Sequence, residues 1–145
     1  MAGIVIVGSG LAGYNLAREI RHLDGKVPIT MVTADSGDSY SKTTFSTALS
    51  HGHTTEDLKI ASMESQAKFL GVKIHARTAI EEILPSSQQL VCSRRIKLDY
   101  GSLVLAMGAS PLLAPLQRDG ASAVHAMDTL EQFASWSQEV STLPP

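Results

Sequence analysis

The chain has 145 residues, 43% of them hydrophobic and 18% charged, with a formal net charge of -2 at pH 7. That length suffices for one ordinary domain with a proper core, and the charge balance points neither to nucleic acid nor to an anionic membrane surface. No apolar run approaches the roughly 20 residues of a membrane span, and the single cysteine, Cys92, excludes an intrachain disulfide or a Cys-x-x-Cys redox pair within these residues.

In chain order, the apolar run Gly3-Ile4-Val5-Ile6-Val7 begins after Met1-Ala2 with no basic region, so it predicts a strand and not a signal peptide. With a single thiol and no export signal, a cytoplasmic location is expected. Gly8-Ser9-Gly10-Leu11-Ala12-Gly13 follows and opens a helix whose apolar residues recur at helical spacing through Ile20. Strand, glycine turn and helix make the context of a dinucleotide fingerprint. Gly8 allows a tight turn, Gly10 holds no Cβ against a pyrophosphate, and Gly13 lets the helix pack close to the strand. The helix N-terminus offers unpaired N–H groups to phosphates. A second apolar run, Ile29-Thr30-Met31-Val32-Thr33, predicts the next strand. Asp35 stands just beyond it, about 20 residues past the last glycine, where a ribose diol would be gripped. Asp38 competes for that role, and a solvated loop acid or a ligand-free βαβ unit is the plain alternative.

Ser36 to Thr44 reads as a polar loop and Phe45 to Leu49 as a short helix. His51 and His53 invite a metal reading, but no cysteine or third histidine lies near, and a solvated loop suits them better. Ala61 to Leu70 predicts a helix stopped by Gly71. Strands are expected at 72–76, 79–84, 88–92 and 95–98, the last three joined by short turns into a β-meander. Cys92 falls in an apolar strand, which predicts a buried, inert thiol. Leu103-Val104-Leu105-Ala106 reads as a strand buried on both faces of a parallel sheet. Asp128, with Glu131 as its reciprocal acid, predicts an N-cap for a helix running to about Trp136. Ser141 to Pro145 reads as a linker.

Gly8-x-Gly10-x-x-Gly13, Tyr40-Ser41-Lys42, the meander and Leu103-Val104-Leu105-Ala106-Met107-Gly108-Ala109-Ser110-Pro111 occur in that order. Their order resembles the FAD-dependent pyridine nucleotide–disulfide oxidoreductases, and within them the branch of rubredoxin and ferredoxin reductases, over essentially the whole chain. The fold so implied is α/β: a three-layer Rossmann-like FAD-binding domain over 1–140, with a parallel sheet and an inserted β-meander. It is incomplete, with 141–145 leading toward an absent NAD(P)H-binding domain. The resemblance places Gly8, Gly10, Leu11, Ala12 and Gly13 against the FAD pyrophosphate and Asp35 on the adenosine ribose. It places the backbone of Ile80 by the adenine, Ala106, Met107 and Gly108 in the turn beside the cofactor, and Lys42 near the flavin as the candidate catalytic residue.

The sequence departs from the family pattern in several places. Thr43 stands where the family often has proline, Thr47 where it often has lysine, and Met107 where it has the threonine of Ala-Thr-Gly. The implied function is electron transfer from NAD(P)H through FAD to rubredoxin or a ferredoxin-like carrier, with no metal site. Since the region from Tyr40 to Asp57 lacks the cysteine pair of disulfide-reducing relatives, the electron is expected to pass straight to an outside acceptor. By itself the chain is expected to turn over weakly, because no second glycine-rich unit is visible.

Three alternatives remain open on the residues. Lys42 is also readable as a solvated lysine, and Tyr40 as a loop anchor. Arg94, Arg95 and Lys97 form either a docking patch for an acidic carrier or a solvated hairpin turn. A standalone, non-catalytic dinucleotide-binding module is the competing function. A fragment that self-associates through exposed sheet edges is another.

Overall fold

Val5 and Val7 point to one side of their strand, and Ile4 and Ile6 to the other, because side chains alternate along extended backbone. Both sides are apolar, so this strand must be covered on both faces. The computed structural model, which describes residues 3–112, 115 and 124–142, covers it so. β1 (Ile4–Val7), β2 (Ile29–Val32), β5 (Lys73–His75) and β9 (Ser102–Leu105) form a four-stranded sheet in the order β5-β2-β1-β9. Every pairing in it is parallel.

On one face lie α1 (Leu11–Leu23) and α3 (Met63–Leu70). Ile6, Ile29 and Met31 pack there with Tyr14, Ala17, Leu70 and Val72. On the other face lies an antiparallel meander of β6 (Ile80–Leu84), β7 (Gln89–Cys92) and β8 (Ile96–Asp99). Its Leu90 and Cys92 pack with Val5, Val7, Val32 and Tyr100. Helices, parallel sheet and meander are the three layers expected. Cys92 is fully buried, and burial, with the charge of Glu81 second, pushes its thiol up.

The chain divides into two compact units. The layered unit comprises 1–39 and 60–108, and the second comprises 40–59 and 109–145. The expected polar loop from Ser36 to Thr44 holds β3 (Ser39–Tyr40) and a single 3-10 turn at Lys42–Thr44, the expected short helix follows as α2 (Phe45–Ala48), and β4 (Lys59–Ala61) comes after it. The core of the second unit is aromatic. Phe45 stacks on Tyr40 at 5.7 Å and on Phe133 at 5.3 Å between ring centroids, with Ala48, Leu58 and Leu130 around them.

Several boundaries move relative to the sequence expectation, and four have a local reason. α3 starts at Met63, because the Ser62 side chain accepts the Ser65 N–H and Ala61 belongs to a strand. β8 starts at Ile96, because Arg94 and Arg95 both take left-handed backbone in the turn before it. α4 (Leu130–Ser141) is capped by Thr129 and Gln132 rather than Asp128 and Glu131, since a full capping box forms there. α4 also carries Ser141 and is C-capped by Thr142, and the rest of the expected linker, 143–145, lies outside the described residues. Finally, β9 is not buried on both faces. It lies at the sheet edge, and Leu105 is 52% exposed.

One side chain ties the helical layer together. Arg21, in the last turn of α1, donates from Nε to the Leu70 carbonyl at 2.6 Å and from Nη2 to the Gly71 carbonyl at 2.9 Å. Its Nη1 donates to the Val27 carbonyl at 2.7 Å. These are orphan acceptors at the C-terminus of α3 and in the turn after α1, and a cation there also meets the negative helix end. Arg21→Ala is expected to lower the unfolding free energy by about 2 kcal/mol, with Arg21→Lys recovering only part, because an ammonium lacks the planar fork. Urea unfolding followed by circular dichroism checks this, and equal stability of all three chains would refute it.

His75 supplies a pH dependence. Burial, and secondarily the charge of Lys73, holds its imidazole below the ordinary value of 6.5, and its buried Nε2 has no hydrogen-bond partner among the described residues. The unfolded chain therefore binds this proton at higher pH than the folded one. The stability from a neutral His75 is fully present above the unfolded value and is lost as pH falls through the folded one. The urea midpoint is expected to fall between about pH 7 and pH 5, with a shallower slope in His75→Gln.

Candidate functional site

Ladder bonds from Gly8 N–H to the Val32 carbonyl, 2.8 Å, and from Ala106 N–H to the Val7 carbonyl, 2.7 Å, carry the parallel sheet to its carboxyl edge. In open parallel sheets a ligand crevice forms at this edge. Three of the sequence's candidate segments meet here: the glycine turn after β1, Asp35 after β2, and Ala106-Met107-Gly108 after β9.

The three glycines differ in what holds them. Gly8 has φ +108, and a Cβ on it would sit 2.2 Å from the Ala106 carbonyl oxygen. A Cβ on Gly13 would sit 2.1 Å from the Gly8 carbonyl oxygen. Both positions exclude a side chain on grounds of packing alone. Gly10 meets nothing within 4 Å and has ordinary backbone at φ -73. The fold leaves that space open, at the N-cap of α1. No side chain caps this helix end, and its first turn holds no acid. The N–H groups of the first turn, including those of Leu11 and Ala12, are thus the uncapped, positive end of a 13-residue helix.

Asp35 is held by one oxygen. Its Oδ1 accepts from the Thr33 hydroxyl at 2.6 Å, the Gly37 N–H at 2.9 Å and the Ser9 hydroxyl at 3.0 Å. Among the described residues no hydrogen bond reaches its Oδ2. Asp38 is occupied differently: its Oδ1 accepts the Met63 N–H, 3.0 Å, at the start of α3. The two acids that the sequence leaves as competitors thus have different partners. Tyr14, from α1, donates its hydroxyl to the Gly37 carbonyl. Burial first, then the charges of Asp35, Asp38 and Glu64, push its phenol up to about 12, so it is a donor at any ordinary pH.

The segment before Ile80 is tied to the same loop. Arg77 N–H donates to the Asp35 carbonyl and Thr78 N–H to the Thr33 carbonyl, both at 2.8 Å. Ile80 itself packs against the meander core, so the backbone is what it offers. Met107 is 65% exposed, and Gly108 has φ +70 with nothing near it. Lys42 belongs to the second unit. Its ammonium lies 2.6 Å from Asp128 Oδ1, an ion pair with no signal in the sequence because the partners are 86 positions apart. Ser9 and Thr33 are contacts of Asp35 that sequence reasoning missed. The only hint was a hydroxyl residue between two glycines, and its partners become visible only in the fold.

The open glycine, the uncapped helix end and the half-free carboxylate lie together at the carboxyl edge of a parallel sheet, the place where dinucleotide-binding α/β proteins hold their ligand. The family model described as pyridine nucleotide-disulphide oxidoreductase matches residues 2–142, and the chain belongs to that family. It is 36% identical over 138 residues to "Nitric oxide reductase FlRd-NAD(+) reductase" of Vibrio vulnificus, covering 95% of this chain and 36% of that one. It is 37% identical over 140 residues to "Rubredoxin-NAD(+) reductase" of Alcanivorax borkumensis, covering 97% and 36%. Among solved structures, it superposes on a covalent putidaredoxin reductase–putidaredoxin complex with a TM-score of 0.78 at 25% identity, covering 96% of this chain and 34% of that one. The chain thus spans about a third of the length of the curated relatives it matches.

The glycine geometry sets an ordering of variants. Gly13→Ala is expected to cost about 2 to 3 kcal/mol, because backbone must move, and Gly8→Ala a similar amount through its positive φ. Gly10→Ala is expected to cost less than about 1 kcal/mol. Thermal unfolding of the three variants measures this, and a Gly10 variant as damaged as the Gly13 variant would contradict it.

Proposed function

We propose that this chain is the FAD-binding part of a flavoprotein reductase that passes electrons from NAD(P)H to rubredoxin or a similar small iron protein. The observation that carries the reading is the space at Gly10, kept open at an uncapped helix N-terminus with a half-free carboxylate after the next strand. A pyrophosphate needs such a place: backbone N–H groups, a positive helix end and no Cβ. The names of the relatives at 36% and 37% identity support the reaction class and the kind of carrier.

In this reading Gly8, Gly10, Leu11, Ala12 and Gly13 bind the pyrophosphate, and Asp35 accepts from the adenosine ribose through Oδ2. The backbone of Ile80 borders the adenine, and Ala106, Met107 and Gly108 border the cofactor from β9. When bound, FAD supplies the chemistry that accepts two electrons as a hydride and releases them singly. Lys42 supplies positive charge for the flavin, and Asp128 orients its ammonium. Residues 1–140 serve one FAD-binding domain, with 141–145 leading on from it. No helix among the described residues is long and apolar enough to cross a membrane, and a cytoplasmic location suits the single thiol. The exposed edge at β9 supports self-association as part of the same proposal.

The purified chain, mixed with excess FAD and passed over a gel-filtration column, is expected to keep a flavin absorption spectrum. Gly10→Val is expected to lose it while unfolding within about 1 kcal/mol of the parent. A parent chain that never retains flavin would overturn this reading of the site.

A further inference from the structure

Ser9 stands between two glycines of the turn, and the cofactor role proposed above makes no use of its side chain. Gly10 faces open space, whereas Ser9 is turned inward and is only 3% exposed. A buried hydroxyl needs partners, and Ser9 finds them in the loop after β2: Thr33 Oγ1 and Asp35 Oδ1, each at 3.0 Å. It has one proton, and with the Thr33 hydroxyl already donating to Asp35, both hydroxyls direct hydrogen toward the same carboxylate oxygen.

The three donors on Asp35 Oδ1 are not equivalent. Thr33 and Gly37 each lie two positions from Asp35 and travel with its loop. Ser9 is 26 positions away, on the glycine turn. Tyr14 also reaches the loop from outside, but it holds the backbone at Gly37 and not the carboxylate. Ser9 is therefore the donor that fixes the carboxylate relative to the turn itself. With Oδ1 saturated by three donors, Oδ2 is left for a ligand. A carboxylate otherwise rotates about its terminal torsion, which is broad and soft.

We propose that Ser9 is a positioning residue: it locks Asp35 so that Oδ2 faces the adenosine ribose, and so makes the phosphate-binding turn and the ribose acid one preorganised unit. The inference rests on the reading that Asp35 accepts from the ribose of FAD. Loss of a hydrogen bond to a charged group is expected to weaken binding of a ribose-bearing ligand by about tenfold. Binding of a ligand without the ribose hydroxyls is expected to stay unchanged.

The test is titration of the full chain and its Ser9→Ala and Ser9→Thr variants. The ligands are FAD and the form of FAD whose adenosine ribose lacks the 2′- and 3′-hydroxyls. The expected result has several parts. The parent prefers FAD to the dideoxy form, Ser9→Ala loses about tenfold in FAD affinity with the dideoxy form unaffected, and Ser9→Thr restores the preference. Since each variant is judged on the ratio of two ligands, a change in folded fraction cancels. Equal weakening of both ligands by Ser9→Ala, or no weakening of either, would overturn the positioning role and leave the ribose reading standing. A parent chain that does not distinguish the ligands would overturn the ribose reading and this inference with it.

Discussion

The first turn of α1 is pressed against the backbone of the strand that precedes it. At Gly13 there is no room for a single carbon, since the Gly8 carbonyl occupies the place a Cβ would take. That approach sets where the helix begins, and so where its uncapped N–H groups stand relative to the carboxyl edge of the sheet. Gly8 meets the Ala106 carbonyl from the other side. The turn is therefore wedged between the helix it opens and the end of β9. Side chains are excluded at two glycines by the fold, and at the third the fold leaves a vacancy.

A second constraint converges on Asp35. The charge of a part-buried carboxylate has to be compensated, and three donors compensate it at one oxygen. The same contacts join the end of β1 to the end of β2, so the network that stabilises the charge also fixes the loop. Asp38 does comparable work for α3 by accepting its first N–H. Two acids three positions apart in one loop thus have separate tasks. One holds a helix, and the other keeps an oxygen available.

The second unit is organised differently, around the stacked rings of Tyr40, Phe45 and Phe133, with Trp136 tilted against Phe133. The polar stretch after Asp38 is the entry to a small aromatic core, although few of its residues read as apolar. Lys42 sits at that entry, paired with Asp128. With the Lys42 side chain 48% exposed and that of Asp128 25%, the pair is of modest energetic value.

The sequence by itself determined the βαβ opening, the glycine turn, the meander and the burial of Cys92. These follow from periodicity, from glycine at close contacts and from apolar content, which are local properties. It also determined that an acid follows β2, but not the partners of Asp35 and Asp38, which are Ser9, Thr33 and Gly37 for the first and include Met63 for the second. Tertiary structure alone decided those partners, the edge position of β9 and the pairing of Lys42. It also decided the division into two units and the caps that moved the starts of α3 and α4. The reason is physical. Strand order, ion pairs and buried hydroxyls join residues tens of positions apart, and their energies depend on geometry that no local pattern carries.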